Sequence, residues 1–163
     1  MNRLSIRPAV IEDLPILRKF EQALIAAERP FDPTLAGDPI HYYELVKMIQ
    51  ATEVRLVVAE YEGEIIGSGY ARIEDSKPYL RHKRHAYFGF MYVLPEHRGR
   101  GVNGQIMDHL KEWALLFHIE EIRLDVYTSN AQAIKAYEKA GFTILKTEMR
   151  LFIGGCNQDG KQG

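Results

Sequence analysis

"VLPEHRGRGVNG", Val93 to Gly104, is the stretch on which the reading of this chain turns. Two arginines and three glycines stand there between two segments of different periodicity. Upstream, "AYFGFMYV" (Ala86 to Val93) is rich in aromatic and β-branched residues and reads as a buried strand. Downstream, Val102, Ile106, Met107, Leu110, Trp113, Ala114 and Phe117 recur at helical spacing and form one apolar stripe. The quoted segment is therefore a strand-to-helix turn. Such a turn points backbone N–H groups, at the positive end of a helix, toward whatever sits above it. Glycine lets that backbone approach a bulky anion, and arginine adds charge-assisted contacts. The turn calls for an anionic, phosphorylated ligand.

Outward from the turn, the chain alternates elements without an internal repeat or long linker. "RLSIRPA" (Arg3 to Ala9) reads as an opening strand, and Leu14, Leu17, Leu24 and Ile25 place a helix over 11–27. "ERPFDPTLAGDP" (Glu28 to Pro39) has three prolines and a glycine and reads as a loop before a second helix over 40–51. "EVRLVVAEYEGEIIGSGYARIE" gives two strands around a Glu62-Gly63 turn. The basic loop "SKPYLRHKRH" leads into the strand before the glycine turn. Beyond the long helix, "EIRLDVY" alternates Ile122, Leu124 and Val126, a short helix spans 130–140 up to Gly141, and residues 142–153 read as a closing strand. The expected fold class is α/β: a mixed central sheet, antiparallel in its early strands and parallel at a late strand–helix–strand crossover, flanked by about four helices.

About thirty residues past the glycine turn comes "NAQAIKAYEKAGF", Asn130 to Phe142. Alone it is an amphipathic helix with a glycine cap. Taken together with Arg98, Gly99, Arg100, Gly101, Val102 and Asn103, it resembles the GNAT acetyltransferase superfamily. That family carries Arg/Gln-x-x-Gly-x-Gly/Ala after its fourth strand, and a later block matched here at Asn130, Ala133, Tyr137, Glu138, Lys139, Gly141 and Phe142. One position departs: Asn103 stands where the family has Gly or Ala, and its side chain would either crowd a pyrophosphate or donate to it.

The resemblance implies an acyltransferase that moves an acetyl group from acetyl-CoA, its co-substrate, directly to a primary amine of a small molecule or of a protein or peptide N-terminus. It implies that residues 1–153 form a single N-acetyltransferase domain, with 154–163 a disordered tail. The backbone from Arg98 through Gly99, Arg100, Gly101, Val102 and Asn103 to Gly104 would cradle the pyrophosphate, and Met91, Tyr92 and Val93 would lie along the pantetheine arm. A bulge around Phe90 and Met91 would offer an N–H to the thioester oxygen. Tyr137 would protonate the leaving thiolate, since a phenol of pKa about 10 is only slightly weaker as an acid than the thiol. Asn130 would cap its helix and touch the cofactor. The alternative is a catalytically weak acyl-CoA-binding regulatory module. A homodimer is within the family's habits.

No carboxylate lies on "YFGFMYV", where many relatives keep a base. Glu74, His85, Glu96, His97 and Asp125 are the neighbouring candidates, each with a structural reading of its own. A lysine-like amine of pKa about 10.4 loses its proton at neutral pH at a cost of about 4.6 kcal/mol, an α-amine at about 1 kcal/mol. For the acceptor, Phe31, Tyr42 and Tyr43 suggest a pocket wall, and Asp32, Asp38 and Glu44 an acidic rim.

The composition is globular, at 46% hydrophobic and 26% charged residues. A net charge of −1 argues against nucleic-acid or membrane partners, and the absence of a long apolar run argues against a span. "RGRGVNG" lacks the Lys-Ser/Thr ending of a Walker A loop. The six histidines lack ligand spacing, so no metal is expected. The lone Cys156 excludes an internal disulfide and suits a reducing cytoplasm.

Overall fold

A computed structural model describes residues 3–154; Cys156 and the expected tail beyond Gly154 lie outside the described residues. The chain divides into two compact units, Met1–Tyr127 and Thr128–Gly163.

The first unit is built on a five-stranded sheet in the order β1 (Leu4–Pro8), β2 (Val54–Tyr61), β3 (Glu64–Asp75), β4 (Arg84–Val93), β5 (Ile122–Arg123). The first four pair antiparallel and β4 pairs parallel with β5, the mixed arrangement expected from the sequence. Leu56, Val57, Val58 and Ala59 on β2 are all buried, without polar alternation. Helices pack on both sides of this strand, so neither face meets water.

Helix α1 (Leu14–Glu28) begins with Pro15 in its first turn, where a missing N–H costs nothing, and buries Leu17, Phe20 and Ile25. Its apolar face joins Leu45, Leu56, Val58, Tyr70, Phe90 and Tyr92 in one core cluster. Helix α3 (Val102–Leu115) buries Val102, Ile106, Met107, Leu110, Trp113 and Ala114, the stripe read from the sequence. It approaches β3 closely, because a Cβ on Gly69 would sit 2.7 Å from the Ile106 side chain.

Three expectations differ. Helix α2 is only Leu45–Gln50, since residues 40–44 stay extended while Glu21 holds the Tyr42 and Tyr43 amides. β5 is two residues long; its ladder with β4 ends at Tyr87↔Arg123, short of the Phe90 bulge. In the second unit, α4 (Ala131–Lys139) stands where expected, but residues 142–153 form no strand. A strand needs a partner ladder, and among the described residues of that unit there is no second strand. No helix among the described residues is long and apolar enough to cross a membrane.

Candidate active site

The site is organised by an interruption in β4. Ser68 pairs with Tyr92 and Tyr70 with Gly89, so Gly69 alone faces both Phe90 and Met91. Phe90 takes up the extra residue with φ of 53°, a left-handed conformation that costs a phenylalanine about 1–2 kcal/mol. Two contacts hold it there. The buried Ser68 hydroxyl donates to the Phe90 carbonyl at 3.0 Å, and the Phe90 ring stacks on Tyr43 at 4.7 Å. The bulge also reverses the alternation of side chains. Phe90 and Tyr92 enter the α1 core cluster, while Met91 lies against the Gly69 position near Ile106. Met91, Tyr92 and Val93 carry no pairing with β5.

The chain then enters the glycine turn. Leu94 donates to the Ile66 carbonyl at 2.8 Å, and a short 3-10 turn spans Pro95–His97. Arg98 Nε donates to the Val93 carbonyl at 2.9 Å, with its guanidinium 5.7 Å from the Tyr92 ring centre. Arg98 thus braces the turn against the end of β4 with one of its five donors. Gly99 and Gly101 have φ of 75° and 78°, which only glycine adopts cheaply. Gly101 is the N-cap of α3, with no side chain to bond the first amides. The first helical bond is Gln105 N–H to Gly101 O at 3.1 Å, so the amides of Val102, Asn103 and Gly104 point outward from the positive end of a 14-residue helix. A Cβ placed on Gly99, Gly101 or Gly104 would meet nothing within 4 Å, so the space over the turn is open. Arg100 is exposed beside it. Open backbone amides plus a flexible cation fit a pyrophosphate.

In the second unit, the Asn130 side chain accepts from the Ala133 amide at 3.2 Å and caps α4. Tyr137 lies on that helix with its ring 5.9 Å from Phe142 in an edge contact. Gly141, at φ of 102°, ends the helix, and Phe142 N–H returns to the Tyr137 carbonyl at 3.0 Å.

Of the expected base candidates, Glu96 is exposed, and the other four meet neighbours. His85 is buried, with Nδ1 2.9 Å from the Ser76 hydroxyl and Nε2 3.3 Å from Glu74. Glu74 also binds Arg72, and Asp125 accepts from the Tyr87 hydroxyl at 3.0 Å. His97 packs edge-on to Tyr61. The acidic rim is likewise engaged: Asp38 pairs with Arg29 at 2.6 Å and Glu44 with Lys47 at 2.7 Å, while Asp32 accepts from the Thr34 hydroxyl at 2.6 Å. Tyr43 forms part of the core rather than a free wall.

Two carboxylates that the sequence reading passed over occupy this region instead. Glu21 is 1% exposed; one oxygen accepts from the Tyr42 and Tyr43 amides at 2.9 and 2.8 Å, and the other meets His41 Nδ1 at 3.2 Å. Glu28, half-buried at the end of α1, accepts from the Tyr42 hydroxyl at 3.3 Å. Burial pushes its carboxyl up from the usual range, against the opposing effect of that hydrogen bond. Burial and the Glu28 charge together push the Tyr42 phenol up to about 12. The available signal was positional. Glu21 and Glu28 fall at helical spacing on the same stripe as Leu17, Leu24 and Ile25, and a carboxylate on an apolar face needs a partner.

Residues 20–142 match the sequence profile of the Acetyltransferase (GNAT) family. An N-alpha-acetyltransferase of Sulfurisphaera tokodaii is 30% identical over 121 residues, covering 70% of this chain and 71% of that protein. A crystal structure of a mutant protein from Bacillus halodurans has a TM-score of 0.82 at 18% identity, across 91% of this chain and 99% of its own. An aminoglycoside N-acetyltransferase in complex with CoA has a TM-score of 0.68 at 21% identity, across 93% and 99%. These two structures show a shared fold.

Proposed function

The chain belongs to the GNAT acetyltransferase family and is an acyltransferase, and we propose that it moves an acetyl group from acetyl-CoA directly to a primary amine of a small molecule or a peptide N-terminus. One observation carries the reading: the uncapped start of α3, preceded by two left-handed glycines and a bulged β4. The matched stretch crosses residue 127, which supports taking residues 1–153 as one N-acetyltransferase domain. The lone cysteine supports a reducing, cytoplasmic setting.

Bound acetyl-CoA would supply an activated acyl carbon and a thiol leaving group. The chain's own groups divide the remaining work. The backbone from Arg98 to Gly104, with the Arg100 side chain, cradles the pyrophosphate, the amides of Val102, Asn103 and Gly104 donating to it, and Asn103 directs its side-chain amide to it or away. Met91, Tyr92 and Val93 present strand backbone to the pantetheine arm. The bulge turns backbone N–H out of the ladder, in the place to stabilise negative charge developing on the carbonyl oxygen. Tyr137 gives the leaving sulfur its proton, and Asn130 fixes the start of the helix that carries it. The relatives act on acceptors of different size, an N-terminal α-amine by one name and an aminoglycoside by another. Both are primary amines, which supports that class for this chain.

Calorimetric titration with acetyl-CoA, followed by a thiol-release assay over an amine panel, tests the proposal. Saturable micromolar binding and amine-dependent thiol release are expected. Binding without release over a broad panel would instead favour the acyl-CoA-binding regulatory module, which the missing β4 carboxylate permits. No binding up to millimolar concentration would overturn both.

A further inference from the structure

The basic loop "SKPYLRHKRH" takes no part in the reaction proposed above. It joins β3 to β4, with Ser76 N–H donating to the Lys83 carbonyl at 2.8 Å and Leu80 N–H to the Lys77 carbonyl at 2.9 Å. It therefore stands at the start of β4, whereas the glycine turn follows its end. The ten residues of that strand span about 30 Å. Lys77, Arg81, Lys83 and Arg84 gather in the loop, and no aspartate or glutamate occurs between Asp75 and Glu96 to offset them locally.

Two clefts, of about 280 and 360 Å³, open against this loop and adjoin at Arg81 and His82, which line both. Phe117 and His118, just past α3, wall the first; the second runs to Arg123 on β5. Most of the surrounding charge is paired. Arg84 meets Glu53 at 3.2 Å, His82 Nδ1 lies 3.2 Å from Glu120, and Arg123 binds Glu121. Arg81 and Lys83 differ. Among the described residues, no carboxylate pairs with either side chain, and both line the first cleft. The carbonyls of Trp113, Ala114 and Leu115 already accept from the amides of residues 116–119, so the last turn of α3 brings no free acceptor to that wall. A guanidinium presents a planar fork that fits carboxylate or phosphate, and an ammonium adds a point charge beside it. Clefts of this volume suit a small organic molecule rather than a bare ion.

We propose that the joined clefts form a second anion site, which takes a small organic molecule through its carboxylate or phosphate groups, held by Arg81 and Lys83. The site is separate from the glycine turn, at the other end of β4. It stands whether or not the acetyltransferase reading does, because no residue of that reading lines it.

A reporter is built in. Trp113, the one tryptophan of the chain, packs on Phe117 at 4.8 Å, and Phe117 lines the first cleft. The full chain is titrated with citrate and, separately, with glycerol 3-phosphate, at constant physiological ionic strength. Tryptophan fluorescence and calorimetry are read side by side. One probe should saturate with a submillimolar Kd, and which one does so distinguishes a carboxylate from a phosphate ligand. Arg81→Gln should raise that Kd tenfold or more and Lys83→Gln severalfold, while Arg100→Ala, at the glycine turn, should leave it within twofold. Three outcomes would overturn the site: no saturation by either probe at millimolar concentration, a Kd that Arg81→Gln leaves unchanged, or a loss in Arg100→Ala equal to that in Arg81→Gln. A response to a polyglutamate peptide but to neither probe would assign the loop to an acidic protein partner and overturn it equally.

Discussion

Tyr137 and Glu21 carry the two sharpest predictions at the residue scale. If the Tyr137 hydroxyl supplies the thiolate proton, Tyr137→Phe should lower kcat by about 10²-fold, the lower end for general acid catalysis. The acetyl-CoA Kd should stay nearly unchanged, since the ring and its Phe142 contact survive. Stopped-flow thiol release beside calorimetry separates the two; an unchanged kcat would remove Tyr137 as the acid. Glu21→Ala would strip two backbone amides of their only carboxylate acceptor in a buried site. Each orphaned amide costs about 1–3 kcal/mol, so a loss of about 3 kcal/mol in a urea titration is expected. Glu21→Gln keeps one accepting oxygen and should lose less.

At the element scale, the β4 bulge and the α3 start depend on local backbone states. Gly101→Ala would force a Cβ residue into φ of 78°, costing about 1–2 kcal/mol or shifting the turn. The added methyl meets no neighbour, so any loss of affinity for acetyl-CoA beyond the loss of stability would report on the cradle itself. Gly89→Ala acts differently. Its Cβ would fall 2.6 Å from the Tyr70 ring, and Tyr70 packs edge-on to Tyr43, which stacks on Phe90. The expected outcome is lower thermal stability together with lower turnover, read by calorimetric melting and thiol release. A variant of full activity would show that the aromatic layer does not support the bulge.

For the whole molecule, the bond between β1 and the entry to α1 sets acid sensitivity. Arg7 binds Asp13 at 2.8 Å and Glu60 at 3.0 Å, and Asp13 also accepts from the Val10 amide at 2.8 Å. The hydrogen bond from Arg7 holds the Asp13 carboxyl below its usual range. A depressed native pKa means the unfolded chain takes up the proton first. The contribution is therefore complete above the unfolded value of about 3.9 and is lost as pH falls through the lower native one. Asp13→Asn should cost about 2 kcal/mol at neutral pH, discounted for the partly exposed guanidinium, and should flatten the fall in stability below about pH 4. Urea midpoints of both proteins from pH 3 to 6 would decide it.

The sequence by itself determined the order of elements as far as α4, the mixed sheet and the glycine turn, because those depend on local patterns. The stripe from Val102 to Ala114, the left-handed glycines and the Asn130 cap each act within a few residues of their own position. The bulge at Phe90 was expected only through the family resemblance, since nothing in the local pattern of the strand marks it. Tertiary structure decided what those patterns cannot encode. The expected rim of Asp38 and Glu44 turned out to be paired with nearby cations, while Glu21 and Glu28, hidden in a helical stripe, hold Tyr42 and Tyr43. Whether a carboxylate is solvated, ion-paired or held by amides and hydroxyls depends on which distant side chains surround it. That is settled by packing across elements, not by spacing along the chain.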